Sequence, residues 1–138
     1  MAACKVLLVD DEAGFLDPLL KRLRRRGITT AASNSGEEAL QRIVTEPPDV
    51  VVLDVKMPGM GGLETLREIK RNHPLVEVIM LTGHASVEAA IEGMELGAFD
   101  YLMKPLELED LLHKIQDAHE KKSLQEAKIA KMTGPQKE

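Results

Sequence analysis

A chain of 138 residues, 43% hydrophobic and 30% charged, has the length of one domain and the composition of an ordinary folded protein. A net charge of −5, 2% aromatic residues and no tryptophan disfavour nucleic-acid binding, because neither a basic face nor stacking platforms are on offer. Cys4 stands alone, no apolar run approaches the roughly twenty residues of a membrane span, and MAACKVLLVDDE lacks the parts of a signal peptide. The expected setting is a reducing cytoplasm without membrane contact.

In chain order, Lys5 to Val9 predicts a first strand, a continuous apolar run ending in Asp10, Asp11 and Glu12. A helix follows from about Ala13 to Arg26, with Phe15, Leu16, Leu19, Leu20 and Leu23 at helical spacing and Pro18 at or just past its first turn. The basic run Arg22–Arg26 reads as a solvated helix end, favoured by the helix dipole, and Gly27 stops the helix. Ile28 to Ala32 is a short strand. Ser35 and Glu38 have capping-box spacing and open a helix whose apolar face is Ala39, Leu40, Ile43 and Val44, ended by Pro47 and Pro48.

Val50 to Val55 comes next. Its first four residues are apolar without period-two alternation, which suits a strand buried on both faces but also a short buried helix segment. Three β-branched residues in a row favour the strand, as do the breakers Pro58, Gly59, Gly61 and Gly62. Asp54 then closes a central strand at the edge where open α/β sheets bind ligands. Taken alone, it is either a functional carboxylate or an expensive burial. Leu63, Leu66 and Ile69 form one face of a third helix that stops near Asn72 and Pro74. Val76 to Leu81 is a strand delivering Thr82, Gly83 and His84. Ser86 caps a fourth helix bearing Val87, Ala90, Ile91 and Met94, weakened by Gly93 by about 1 kcal/mol relative to alanine. Phe99 to Met103 is a fifth strand running into Lys104 and Pro105. The last helix starts near Leu106 or Glu107 and buries Leu108, Leu111, Leu112 and Ile115. Residues 1–120 are expected to form the domain, and 121–138 a polar tail that extends the helix or serves as a linker.

Five strand–helix units in strict alternation predict an α/β fold: a doubly wound parallel sheet of flavodoxin-like (βα)5 type, with strand order 2-1-3-4-5. That order sets Asp10 and Asp11 beside Asp54, with Thr82 and Lys104 at the neighbouring strand ends. Three close carboxylates repel one another, so a positive charge must sit among them. Mg²⁺ (or Mn²⁺) suits an all-oxygen set, and Lys104 adds a second positive charge. The set reads as a phosphoryl-transfer site with Asp54 as nucleophile, the metal and Lys104 on the phosphoryl oxygens and Thr82 donating a hydrogen bond. No Gly-rich nucleotide loop is present, so the phosphoryl donor is another molecule.

The segments VDDE, LDVKMPGMGG, MLTG and YLMKP resemble, in order, the receiver domain of two-component response regulators. The resemblance spans Lys5 to about Ala118. The wording VKMPGMGGLETL and LTGHASVEAAIEGMELGAFDYLMKP is similar to receivers of the nitrogen-regulation class, which control sigma-54 promoters. It implies that Asp54 is the phosphoacceptor, Asp11 a direct Mg²⁺ ligand, and Asp10 the acid holding a metal-bound water. The backbone carbonyl of Lys56 would be a further ligand, Thr82 and Lys104 the phosphate-binding pair, and Tyr101 the switch aromatic. Lys104–Pro105 matches a peptide bond that is typically cis in the family. Lys56 and His84 stand where phosphoryl lifetime is tuned in the family, or are plain exposed loop residues.

The implied function is a signalling switch, not an enzyme on other substrates. A sensor histidine kinase or phosphotransfer protein donates to Asp54, and the face of the fourth helix, fifth strand and fifth helix passes the change to an output domain or protein. A phosphorylation-dependent homodimer through the last helix is open. Two other readings remain: a receiver-fold binding module indifferent to phosphate, and an Asp-nucleophile phosphatase. Against the phosphatase, Lys56 occupies the position where a second acid is needed. His73, His113 and His119 show no ligand spacing and read as surface residues.

Overall fold

A computed structural model describes residues 4–57, 59–83 and 87–133. Five strands, β1 (Lys5–Val9), β2 (Thr29–Ser33), β3 (Val50–Asp54), β4 (Glu77–Thr82) and β5 (Asp100–Met103), alternate with α1 (Ala13–Arg25), α2 (Gly36–Thr45), α3 (Gly62–Asn72), α4 (Val87–Glu95) and α5 (Leu108–Thr133). All neighbouring strands are parallel, in the order β2-β1-β3-β4-β5. This is the order expected from the alternation. The second and fourth strands lie one residue later than the apolar runs suggest, and the third ends at Asp54 rather than Val55.

Alternate residues of each central strand feed different cores. Leu7, Val9, Val51, Leu53, Val78 and Met80 pack with Ala39, Ile43, Leu66 and Ile69 from α2 and α3. Val6, Leu8, Val50, Val52, Ile79 and Leu81 pack with Leu16, Leu19 and Leu23 of α1 and with Leu111, Ile115 and Ala118 of α5. The continuous apolar runs thus follow from helices on both faces. Each buried Leu or Ile contributes about 1.5–3 kcal/mol.

Local signals hold with modifications. Ser35 Oγ accepts from the Glu38 N–H (3.1 Å), but Glu38 Oε1 reaches back to the Asn34 N–H (2.8 Å), one residue beyond the usual capping box. Val44, expected on the buried face of α2, is 69% exposed, because Ala39 and Ile43 already fill the space against the sheet. In α4 the apolar Val87, Ile91 and Met94 are 65%, 56% and 41% exposed, whereas Ala90 and Gly93 are buried. A Cβ on Gly93 would stand 2.0 Å from Met80 Sδ, so this glycine is the contact that lets α4 approach β4. The cap assigned to Ser86 lies outside the described residues. Helix α5 continues for 26 residues, about 39 Å of axis. It buries Leu111, Ile115 and Ala118, while Leu124, Ile129 and Met132 are exposed.

Candidate functional site

The strand register decides which side chains meet at the carboxyl rim of the sheet. Val9 pairs with Leu53, so Asp10 and Asp54, each one residue further on, are level. Asp54 pairs with Leu81 and Thr82 with Met103, which brings Lys104 to the same rim. Asp10 is 1% exposed and Asp54 5%, whereas Asp11 is exposed. One carboxylate oxygen from each of the three lies within 4.8 Å of the others. The Lys104 ammonium donates to Asp10 Oδ2 at 3.0 Å and stands 3.9 Å from Asp54 Oδ1. Asp10 Oδ1 accepts the Glu12 N–H (2.9 Å), and Asp54 Oδ1 accepts the Lys56 N–H (3.3 Å).

The loop after Asp54 is folded tightly onto its own strand end. The Gly62 N–H donates to the Val55 carbonyl (3.0 Å), and a Cβ on Gly62 would stand 2.3 Å from the Asp54 carbonyl oxygen. Only a residue without a side chain permits that approach. Glu37 Oε2 accepts the Met60 N–H (3.3 Å) and holds the loop from α2. Lys56 is exposed in this loop. Pro58 and His84 lie outside the described residues.

The electrostatics follow from this packing. Burial, then the Asp10 charge, push the Asp54 carboxyl up to about 6; Asp11 adds to this, while Lys104 and the Lys56 N–H oppose it. Partial burial pulls Lys104 down, but its hydrogen bond to Asp10 and the charges of Asp54, Asp10 and Glu12 outweigh that, so its net shift is upward. One lysine therefore leaves the acids undercompensated.

Thr82 and Tyr101 stand apart from this cluster. Thr82 is 2% exposed and its hydroxyl donates to the Leu102 carbonyl on β5 at 3.5 Å. Tyr101 is 41% exposed on the edge strand and lines, with Thr82, Val87, Ile91, Met94 and Met103, an apolar groove between α4 and β5. The Lys104–Pro105 peptide bond is cis. Two neighbours of Lys104 escaped the sequence reading. Glu12 Oε1 is 3.5 Å from the ammonium, and the Phe15 ring centroid is 4.3 Å below it. Glu12 was visible as the third acid of its run. Phe15 looked like an ordinary core position of α1.

The model of the response regulator receiver domain matches residues 6–116. The chain belongs to this family. Receiver domains generally use Mg²⁺, and the acidic cluster of this receiver can hold such an ion: three carboxylates, two of them buried, face one lysine. The receiver is 36% identical over 113 residues to the DNA-binding transcriptional regulator NtrC of Escherichia coli, covering 82% of this chain and 24% of that regulator. It is 39% identical over 113 residues to the transcriptional regulatory protein ZraR of the same organism, covering 82% of this chain and 26% of ZraR. The chain thus spans about a quarter of the length of the curated relatives it matches. Among solved structures, the receiver domain of NtrX from Brucella abortus superposes with a TM-score of 0.80 at 33% identity, covering 83% of this chain and 98% of that domain. A receiver domain from Clostridium thermocellum gives 0.84 at 38% identity, covering 88% and 98%. The likeness to nitrogen-regulation receivers read from the sequence agrees with NtrC and NtrX. Among the described residues, no helix is long and apolar enough to cross a membrane.

Proposed function

We propose that this receiver takes a phosphoryl group from a phosphohistidine of a sensor histidine kinase or phosphotransfer protein onto Asp54. The observation that carries the reading is the buried Asp54 carboxylate beside Asp10, Asp11 and Lys104 at the carboxyl rim. An Asp54 carboxylate oxygen attacks phosphorus; the O–P bond forms, the P–N bond breaks, and the imidazole nitrogen keeps the electron pair and takes a proton. Asp10, Asp11, Asp54 and the Lys56 carbonyl would hold Mg²⁺ (or Mn²⁺), which supplies positive charge to the phosphoryl oxygens as charge spreads over them. Lys104 neutralises the same oxygens from the other side.

Thr82 then exchanges its bond to the Leu102 carbonyl for a phosphoryl oxygen, and Tyr101 follows into the groove beside it. The chain acts on its own phosphoryl group in both directions, and Lys56 and His84 set the lifetime. The changed α4–β5–α5 face signals to a downstream output domain or protein, as a cytoplasmic switch within 1–120, with 121–138 as helical extension or linker. Phosphorylation-dependent homodimerisation would use the last helix and its polar tail.

Incubation with Mg²⁺ and acetyl phosphate, followed by intact mass, tests the proposal. One phosphoryl adduct is expected in the wild type and none in Asp54→Asn. An adduct that survives in Asp54→Asn overturns it.

A further inference from the structure

The amino rim of the sheet, opposite Asp54, gathers three donors from distant parts of the chain. Cys4 precedes β1 and Asp49 precedes β3, and these strands pair in parallel. Extension of their register pairs Asp49 with Lys5, the residue that follows Cys4: the Lys5 N–H donates to Asp49 Oδ2 (2.8 Å) and the Asp49 N–H donates to the Lys5 carbonyl (2.8 Å). His119 reaches them from α5, with Nε2 3.8 Å from Asp49 Oδ2. The Cys4 sulfur, an Asp49 oxygen and a His119 nitrogen all lie within 4.8 Å of one another, and all three residues are half-buried.

We propose that Cys4, Asp49 and His119 form a site for a divalent transition metal of borderline softness, Zn²⁺ above all. The donor chemistry selects the metal class. A thiolate, an imidazole and a carboxylate make a three-ligand zinc set with a fourth position for water, and thiolate is a poor ligand for Mg²⁺. Donors around tetrahedral zinc stand about 3.3–3.8 Å apart, so the three side chains close by about 1 Å.

Charge balance is available without moving the backbone. Lys122 Nζ now neutralises Asp49 Oδ1 at 3.1 Å and also pairs with Glu126 at 2.6 Å. The dication takes its place on Asp49, and Lys122 keeps Glu126. Burial, then the Asp49 charge, push the Cys4 thiol up to about 12, so the metal-free thiol holds its proton. Binding forms the S–metal bond and releases that proton to water. The site ties α5 to the starts of β1 and β3 and shares no residue with the Asp54 cluster.

The test uses the full chain, freed of metal by chelation and titrated with Co²⁺ under reducing conditions. A thiolate-to-cobalt charge-transfer band in the near ultraviolet is expected at one equivalent. It should be retained in Asp54→Asn, absent in Cys4→Ser and at least about tenfold weaker in affinity in His119→Gln. Removal of the competing cation in Lys122→Gln should tighten binding about two- to fivefold. In Asp54→Asn, Zn²⁺ but not Mg²⁺ should raise the urea unfolding midpoint, and the further change Cys4→Ser should abolish that rise. Absence of the band, or equal affinity in wild type and His119→Gln, overturns the proposal, as does equal stabilisation of Asp54→Asn by Mg²⁺.

Discussion

At the carboxyl rim, Asp10, Asp11, Glu12 and Asp54 meet one lysine, Lys104, among the described residues. At the amino rim, Asp49 and Glu77 meet Lys70, Lys121 and Lys122. The same parallel sheet carries both clusters, but the balance differs. At the amino rim of the metal-free chain each acid has its own cations, and the ion pairs fasten α3 and α5 to the strand starts. The carboxyl rim keeps negative charge uncompensated inside the fold. The proposed phosphoryl transfer to Asp54 would account for an arrangement that costs stability, since a cation and a phosphoryl group would use it.

The largest way to break this contrast is kinetic. Lys104→Ala is expected to slow Asp54 phosphorylation by acetyl phosphate about 100-fold or more, because a preorganised charge on the transferring group is lost. Lys121→Ala, at the other rim, should leave the rate unchanged. Intact mass against time reads both, and equal slowing would end the functional distinction between the rims.

Stability gives the next contrast, with opposite signs. Glu77 is 2% exposed and lies 3.9 Å from Lys70 and 3.4 Å from Lys121. Burial pulls the Lys70 ammonium down and Glu77 opposes that, so Glu77→Gln leaves a partly buried cation with only the Pro74 and Val76 carbonyls to receive it. A loss of about 2 kcal/mol is expected. Asp54→Asn removes an acid whose ionisation the fold disfavours, and should gain on the order of 2 kcal/mol at pH 7 without divalent cation. Urea unfolding of both variants in chelator checks the signs.

The same asymmetry has a pH signature. Burial pushes the Asp54 carboxyl up to about 6 in the fold, against 3.8 for an unperturbed aspartate. Between those values the native state binds more protons than the unfolded chain, so stability falls as pH rises from about 4 to 6 and levels off above. Asp54→Asn should flatten that slope, and Mg²⁺ should reduce it by favouring the carboxylate. Urea midpoints across this range in chelator, with Mg²⁺ and in the variant measure it. An unchanged slope in Asp54→Asn would assign it to other acids.

The carboxyl rim was legible because its evidence is sequential: an apolar run, then a polar group, four times over, with alternation fixing which runs lie side by side. The amino rim was not. Glu77 sits in a strand as a charged residue with no local reason to be buried, and its partners come from α3 and α5. Cys4, Asp49 and His119 have no common spacing and meet only through the parallel pairing of β1 with β3 and the packing of α5. In α4 the apolar spacing of Val87, Ala90, Ile91 and Met94 does not say which of them is buried: Ala90 is, the three larger residues are not, and a Cβ on Gly93 would collide with Met80. Periodicity cannot see that steric choice. Phe15 was legible as apolar and illegible as the ring beneath Lys104, since the two are brought together only by the end of β5.

The smallest expected effect sharpens the boundary between the rims. The Lys121 side chain is 49% exposed while Glu77 is nearly enclosed, and Lys70, at 17% exposure, already faces the same carboxylate. Lys121 therefore works through solvent, with its stem free to move. Lys121→Gln should cost about 0.5 kcal/mol in low salt, and the difference should vanish near 1 M salt, where the screening length is about 3 Å. Paired urea titrations at the two salt concentrations measure it. A loss as large as that of Glu77→Gln, persisting in salt, would mean that the amino rim is poised on one cation just as the carboxyl rim is poised on Lys104. Charge balance would then cease to separate structure from function in this fold.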